Sequence, residues 1–190
     1  LQEAAKPINY AEVANWFRLT LDLRLVNAAT VPEPFPMPST TIAKEHCKDS
    51  RFFCVSDLAD AFFSVKLRPE DYGKTGFTTH DSQFVFKVMP QGAMNAARQF
   101  SRIATAAFEG VPLSVICPFQ DDTLNHAKTF FTSLENQQLL YDCARKSNLI
   151  LKVSKTTLGY PTAKFLGNIH SQHGRTPDPA LISAVLDIAI

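Results

Sequence analysis

Phe119-Gln120-Asp121-Asp122 sets two carboxylates in succession after an apolar run, and Asp57 ends another, Phe52-Phe53-Cys54-Val55-Ser56. Each stretch reads as a short buried strand that ends in acid. Pairing of the two strands in one sheet would bring Asp57 beside Asp121 and Asp122. Converging carboxylates repel one another unless a cation lies between them, so the cluster predicts divalent metal. Two metal ions roughly 3.5–4 Å apart, held by shared aspartates, are the usual device for in-line phosphoryl chemistry on nucleotides. Against this stands the simpler reading of an Asp-Asp turn, since Asp favours turns and solvates well.

The elements that must position these acids follow from period and punctuation. Trp16 to Leu23 alternates apolar with polar residues and predicts a strand. Pro32, Pro34, Pro36 and Pro38 make residues 29–41 an extended connector. Phe77–His80 and Phe84–Val88 predict a hairpin turning at Asp81-Ser82-Gln83. Asn95 is a suitable N-cap for a helix to about Phe108, with Ala96, Phe100, Ile103, Ala104 and Ala107 on its core side and Arg98 and Arg102 on another. A strand over 114–120 and a second over Thr123–His126 flank the acidic turn. Thr132 with Glu135 fits a capping box for a helix to about Ser147, with Phe131, Leu134, Tyr141 and Ala144 facing the core. Runs at Leu149–Val153 and Ala163–Ile169 predict two more strands. The expected class is α+β with a largely antiparallel sheet.

With 190 residues, 45% of them hydrophobic and 15 of them Phe, the chain can build one substantial core. No run of ~18 apolar residues predicts a membrane span. Leu1 at the start, with no leader pattern after it, points to a piece of a longer polypeptide. The net charge of +1 neither favours nor excludes a polyanionic partner, which would need local clustering of Lys and Arg. Cys47, Cys54, Cys117 and Cys143 have no paired spacing, which predicts reduced thiols and an intracellular reducing compartment such as cytoplasm, nucleus or virus-like particle rather than secretion. His170 and His173 lack the companions of a zinc site.

Taken in order, the motifs from about Trp16 to Pro179 resemble the reverse transcriptases of retroviruses and long-terminal-repeat retrotransposons. Phe17-Arg18 with Asp22–Asn27 resembles the fingers strand, Ser56–Val65 the first catalytic motif, and Met89–Asn95 the segment under the incoming nucleotide. Phe119–Asp122 stands at the aromatic-x-Asp-Asp turn, and Phe165-Leu166-Gly167 at the start of the primer grip. The resemblance implies a right-hand polymerase: fingers over 1–32, palm over 33–64, a fingers hairpin over 65–94, palm again over 95–167, and the start of a thumb or connector over 168–190.

It also implies roles. Asp57 and Asp121 would hold two Mg²⁺ ions, with Mn²⁺ as a substitute, and Asp122 would be the third carboxylate. Arg18 would clamp the triphosphate, unless it is a solvated strand residue. The backbone of Leu58, Ala59, Asp60 and Ala61 would cradle phosphates. Phe62 would stack under the deoxyribose and exclude a 2′-hydroxyl, unless it only packs in the core. Gln91 would touch the nucleotide. Lys155 would protonate the leaving pyrophosphate, or is a surface lysine. Phe119, Gln120, Phe165, Leu166 and Gly167 would meet the primer, and Lys66, Lys74, Arg98, Arg102 and Lys164 would meet nucleic-acid backbone. The implied partners are a primed RNA or DNA template and deoxynucleotides, within a longer polyprotein or assembly and with no membrane.

The chain departs from the family in places. Phe119 replaces a Tyr, Gln120 a small apolar residue, and Ala97 a Pro. Pro118 inside its strand suggests a bulge or an edge. Two readings result: an RNA-directed DNA polymerase fragment, and a retired domain kept for structure or nucleic-acid binding; a third, an unrelated α+β domain with an acidic turn, is opposed by the ordered motifs.

Overall fold

The computed structural model describes residues 20–35, 47, 49–59 and 61–188. Among these residues, four strands form the central sheet: β1 (Phe52–Asp57), β4 (Ile116–Phe119), β5 (Asp122–Ala127) and β6 (Thr157–Tyr160). Its order is β4-β5-β1-β6 and its pairings are antiparallel. β1 and β5 are therefore central, and the edge position of β4 accounts for Pro118, because an edge strand tolerates the missing donor.

Alternation along the strands divides the sheet into two faces. Phe53 and Leu124, both 0% exposed, join Cys47, Cys117, Ala163 and Phe165 in a core on one face. Cys54, Ser56, Thr123 and Asn125 lie on the other face, beneath helix α3 (Phe130–Lys146). A second core forms where helix α2 (Ala96–Ala107) lays Ala96, Phe100 and Ala104 against Leu58, Met89 and Leu149. Among the described residues there are two smaller sheets: the hairpin β2 (Phe77–Thr78) with β3 (Gln83–Phe84), and the meander β7 (Thr162–Phe165), β8 (Asn168–Ser171), β9 (Gly174–Pro177). Helix α4 (Pro179–Ile188) follows. Among the described residues, no helix is long and apolar enough to cross a membrane, and the four cysteines are free thiols.

Several expectations need correction. Residues 20–23 form no strand; the Asp22 carboxylate accepts the Arg24 backbone N–H at 3.1 Å, a local turn that leads into helix α1 (Arg24–Ala29). Trp16 to Leu19 lie outside the described residues. Gln83 belongs to β3 and not to the turn. Helix α3 is capped by Thr129, whose side chain accepts the Thr132 N–H, and not by Thr132. Its buried face is Ser133, Gln137, Leu140 and Ala144, while Phe131 is 78% exposed. The apolar pattern misled here because half of the buried face is polar.

Residues 149–153 form no strand beyond a bridge from Leu151 to Leu58. Ala163–Ile169 is a hairpin and not one strand, since Leu166 (φ 50°) and Gly167 (φ 73°) turn the chain through left-handed backbone.

Candidate active site

The antiparallel register sets Asp57 directly opposite Asp122, and Asp121 occupies the two-residue turn between β4 and β5. Directly opposed side chains emerge on the same face, with Cβ atoms about 4.5–5.5 Å apart, and like charges there repel. The Leu58 N–H donates to the Asp121 carbonyl at 2.7 Å, so the turn is tied to the end of β1. Gln120 makes the turn at φ 53°, a conformation disfavoured for a residue with a Cβ.

Lys155 joins this group from the opposite side. A 3₁₀ turn (Val153–Lys155) precedes β6, and the Lys152 N–H donates to the Asp57 carbonyl at 2.8 Å. The Lys155 Nζ then stands 2.9 Å from Asp57 Oδ2. The Asp57 side chain is 13% exposed and that of Lys155 is 59% exposed. The hydrogen bond to Asp57, and then its charge, hold the Lys155 ammonium above its ordinary range.

Burial pushes the Asp122 carboxyl above the ordinary 3.8, and the charges of Asp121 and Asp57 push it further, with Lys155 opposing. The folded chain thus holds this proton more tightly than the unfolded chain. The associated stability is complete below the ordinary aspartate range and is lost as pH rises through the raised value. At neutral pH the ionised Asp122 is a net cost. Asp122→Asn is therefore expected to melt a few degrees higher than the parent at pH 7. The gain should shrink below about pH 4, as thermal unfolding across pH would reveal.

Three hard carboxylates at one strand end suit an oxygen-seeking cation such as Mg²⁺. Among the described residues, no three His, Cys, Asp or Glu side chains form a ready-made cage, and Asp57 already has the Lys155 ammonium as counter-charge. The donor chemistry fits the ion.

The remaining predicted residues fall around this centre. The Leu58 and Ala59 N–H groups donate to the carbonyls of Asp121 and Ile150, both at 2.7 Å, so those two amides are already committed and do not cradle phosphate as expected. Arg18 and Asp60 lie outside the described residues. Phe62 is half-buried with its ring edge-on to Phe100, while Phe63 stacks on Phe86. Phe119, at the end of β4, and Gln120, within the turn, are half-buried. Phe165 is buried in the core, and Leu166 and Gly167 form the β7–β8 turn. Arg102 pairs with Glu33, Arg98 donates to the Glu33 carbonyl, Lys74 pairs with Asp71, and Lys164 pairs with Asp178.

Two groups of residues were not anticipated from sequence. Asn27 donates from Nδ2 to the Gly92 carbonyl (2.9 Å) and accepts the Met94 N–H (2.8 Å), which fixes the loop that carries Gln91. Asn95 reciprocates by donating to the Val31 carbonyl and accepting the Glu33 N–H. Beneath the acids, Ser56, Asn125 and Gln137 form a buried polar cluster. Their shared phase on strand and helix was the available signal.

The reverse transcriptase (RNA-dependent DNA polymerase) family model matches residues 11–170. The retrovirus-related Pol polyprotein from transposon 297 of Drosophila melanogaster is 26% identical over 95% of this chain, which spans 17% of that polyprotein. The Transposon Tf2-3 polyprotein of Schizosaccharomyces pombe is 27% identical over 89% of this chain and 13% of its own length. The foamy viral protease-reverse transcriptase, solved in complex with RNA/DNA hybrid, superposes with a TM-score of 0.78 at 20% identity, covering 88% of this chain and 22% of that one. The likeness in structure establishes the fold, α+β with antiparallel sheets. With most of its length matched by the family model, the chain belongs to the reverse transcriptases.

Proposed function

We propose that this chain forms the fingers and palm of an RNA-directed DNA polymerase that adds deoxynucleotides to a primer 3′-hydroxyl. The observation that carries the reading is the pairing of Asp57 with Asp122 beside Asp121. Enzymes of this family generally use divalent metal ions. Asp57 and Asp121 would hold two of them and Asp122 would complete the donor set. When bound, the ions would activate the 3′-hydroxyl and neutralise the triphosphate.

The protein's own groups supply the rest. Arg18 would grip the triphosphate through its charged fork. Phe62, backed by Phe100, would bar a 2′-hydroxyl. Gln91 would meet the nucleotide from the loop that Asn27 holds. Phe119, Gln120 and the Phe165–Gly167 turn would meet the primer. The division into fingers (1–32, 65–94), palm (33–64, 95–167) and the start of a thumb or connector (168–190) belongs to the same reading. So do a primed RNA or DNA template, deoxynucleotide substrates, a longer polyprotein and a reducing compartment. Burial pushes the Cys47 thiol to about 12 and the Cys117 thiol to about 11, which suits inert reduced thiols.

Lys155 would give a proton from Nζ to the leaving pyrophosphate, a reading supported by its ion pair with Asp57 at the end of β1. Lys155→Ala is expected to lower kcat about 10²-fold with little change in the KM for deoxynucleotide, the range for losing one general acid. Steady-state primer extension would check this. A retired domain is not favoured, because repelling carboxylates have no reason to stay clustered without a ligand. Primer extension on RNA and DNA templates with Mg²⁺ tests the proposal as a whole. Absence of any incorporation by the full-length protein would return the retired domain to favour.

A further inference from the structure

The strands bearing Asp57 and Asp122 are joined on their hidden face by hydrogen bonds where apolar packing would ordinarily serve. Ser56, Thr123 and Asn125 each have 0% exposure and face α3, from which Gln137, 2% exposed, reaches down. Gln137 Nε2 donates to Ser56 Oγ at 3.0 Å, and its Oε1 accepts from Asn125 Nδ2 at 2.6 Å. Thr123 Oγ1 donates to the Ser56 carbonyl at 3.1 Å. One amide therefore grips the residue before Asp57 on one strand and a residue of the Asp122 strand on the other.

This arrangement is a poor way to stabilise a core. Apolar side chains of the same volume would fill the space, and Asn125 Oδ1 is buried with no hydrogen-bond partner. What hydrogen bonds add is direction. Apolar packing tolerates sliding, whereas a slip of one residue between β1 and β5 would turn every side chain to the opposite face. The same register that pairs Ser56 with Thr123 pairs Asp57 with Asp122.

We propose that Gln137, with Ser56 and Asn125, is a positioning device that locks β1 to β5 and so sets the spacing of the Asp57 and Asp122 carboxylates. The proposal rests on the polymerase reading above. Its test is the full-length protein carrying Ser56→Ala, Asn125→Val and Gln137→Met together, which removes all the partners at once and leaves none unpaired. The expected result is an unchanged or higher melting temperature, an unchanged KM for deoxynucleotide and primer–template, and a kcat about tenfold lower. Mn²⁺ affinity should fall by a similar factor. A network that only supports the fold would leave the triple variant fully active, and that result overturns the proposal. Should the triple variant not fold, Ser56→Ala alone is expected to lower kcat about threefold at constant KM, and wild-type kcat there also overturns it. Asp121→Asn separates the two levels. An active Asp121→Asn defeats the polymerase site itself, whereas an inactive one beside a fully active triple variant defeats the network alone.

Discussion

Asp121→Asn is expected to reduce nucleotide addition by about 10³-fold or more while the protein stays folded, because it deletes one full charge and keeps the shape. Asp121 is exposed in its turn, and its structural duty falls on the backbone carbonyl that accepts the Leu58 N–H at 2.7 Å. Asparagine preserves that bond. The substitution also removes one of the charges that hold the Asp122 carboxyl above its ordinary range, so the melting temperature should be unchanged or raised. Circular dichroism melts beside single-turnover primer extension would measure both. Lost activity accompanied by a lower melting temperature would indicate a structural role instead.

Gly159→Val carries the largest expected effect on stability, about 3 kcal/mol. Between Phe53↔Tyr160 and Val55↔Thr157 the β1–β6 register slips, and Gly159 fills the irregularity at φ 63°. Left-handed backbone with a Cβ is disfavoured by roughly 1–2 kcal/mol, more for a β-branched residue. A Cβ here would also lie 2.4 Å from the Phe130 ring, which packs edge-on to Phe52 at 5.8 Å. The Gly159 N–H further donates to Cys54 Sγ at 3.1 Å, a bond that a shifted backbone would lose. Urea denaturation would measure the loss. Adding Phe130→Ala should recover part of the damage by removing the clash while leaving the backbone strain. Activity should fall as well, because β6 and the Lys155 turn are one continuous segment.

Much of this molecule is legible in its residues, and what is not has identifiable causes. The acid-ended strands are plain because Phe52–Asp57 and the run before Asp121 are apolar and bounded by charge. Pro118 signals a bulge or an edge, and β4 is an edge strand among the described residues. The inner face of α3 is hidden, since Ser133 and Gln137 face a polar strand surface and a hydrophobic pattern looks past them. The β7–β8 turn is hidden for a different reason. Leu166 adopts positive φ without being Gly or Asn, so the sequence lacks the usual turn signature, and Ala163–Ile169 looks continuous. Asn95 does stand before α2, yet its amide serves residues 31 and 33 and not the helix end. Propensity identifies the position there, and tertiary contacts decide the partner.

The central claim is that Asp57, Asp121 and Asp122 share divalent cations. It is tested most directly by counting Mn²⁺ ions by electron paramagnetic resonance, with deoxynucleotide and a dideoxy-terminated primer–template present. The parent protein should bind about two ions per chain, as a two-metal site requires, and Asp57→Asn should bind fewer than one. Equal Mn²⁺ binding by the parent and Asp57→Asn would contradict the account.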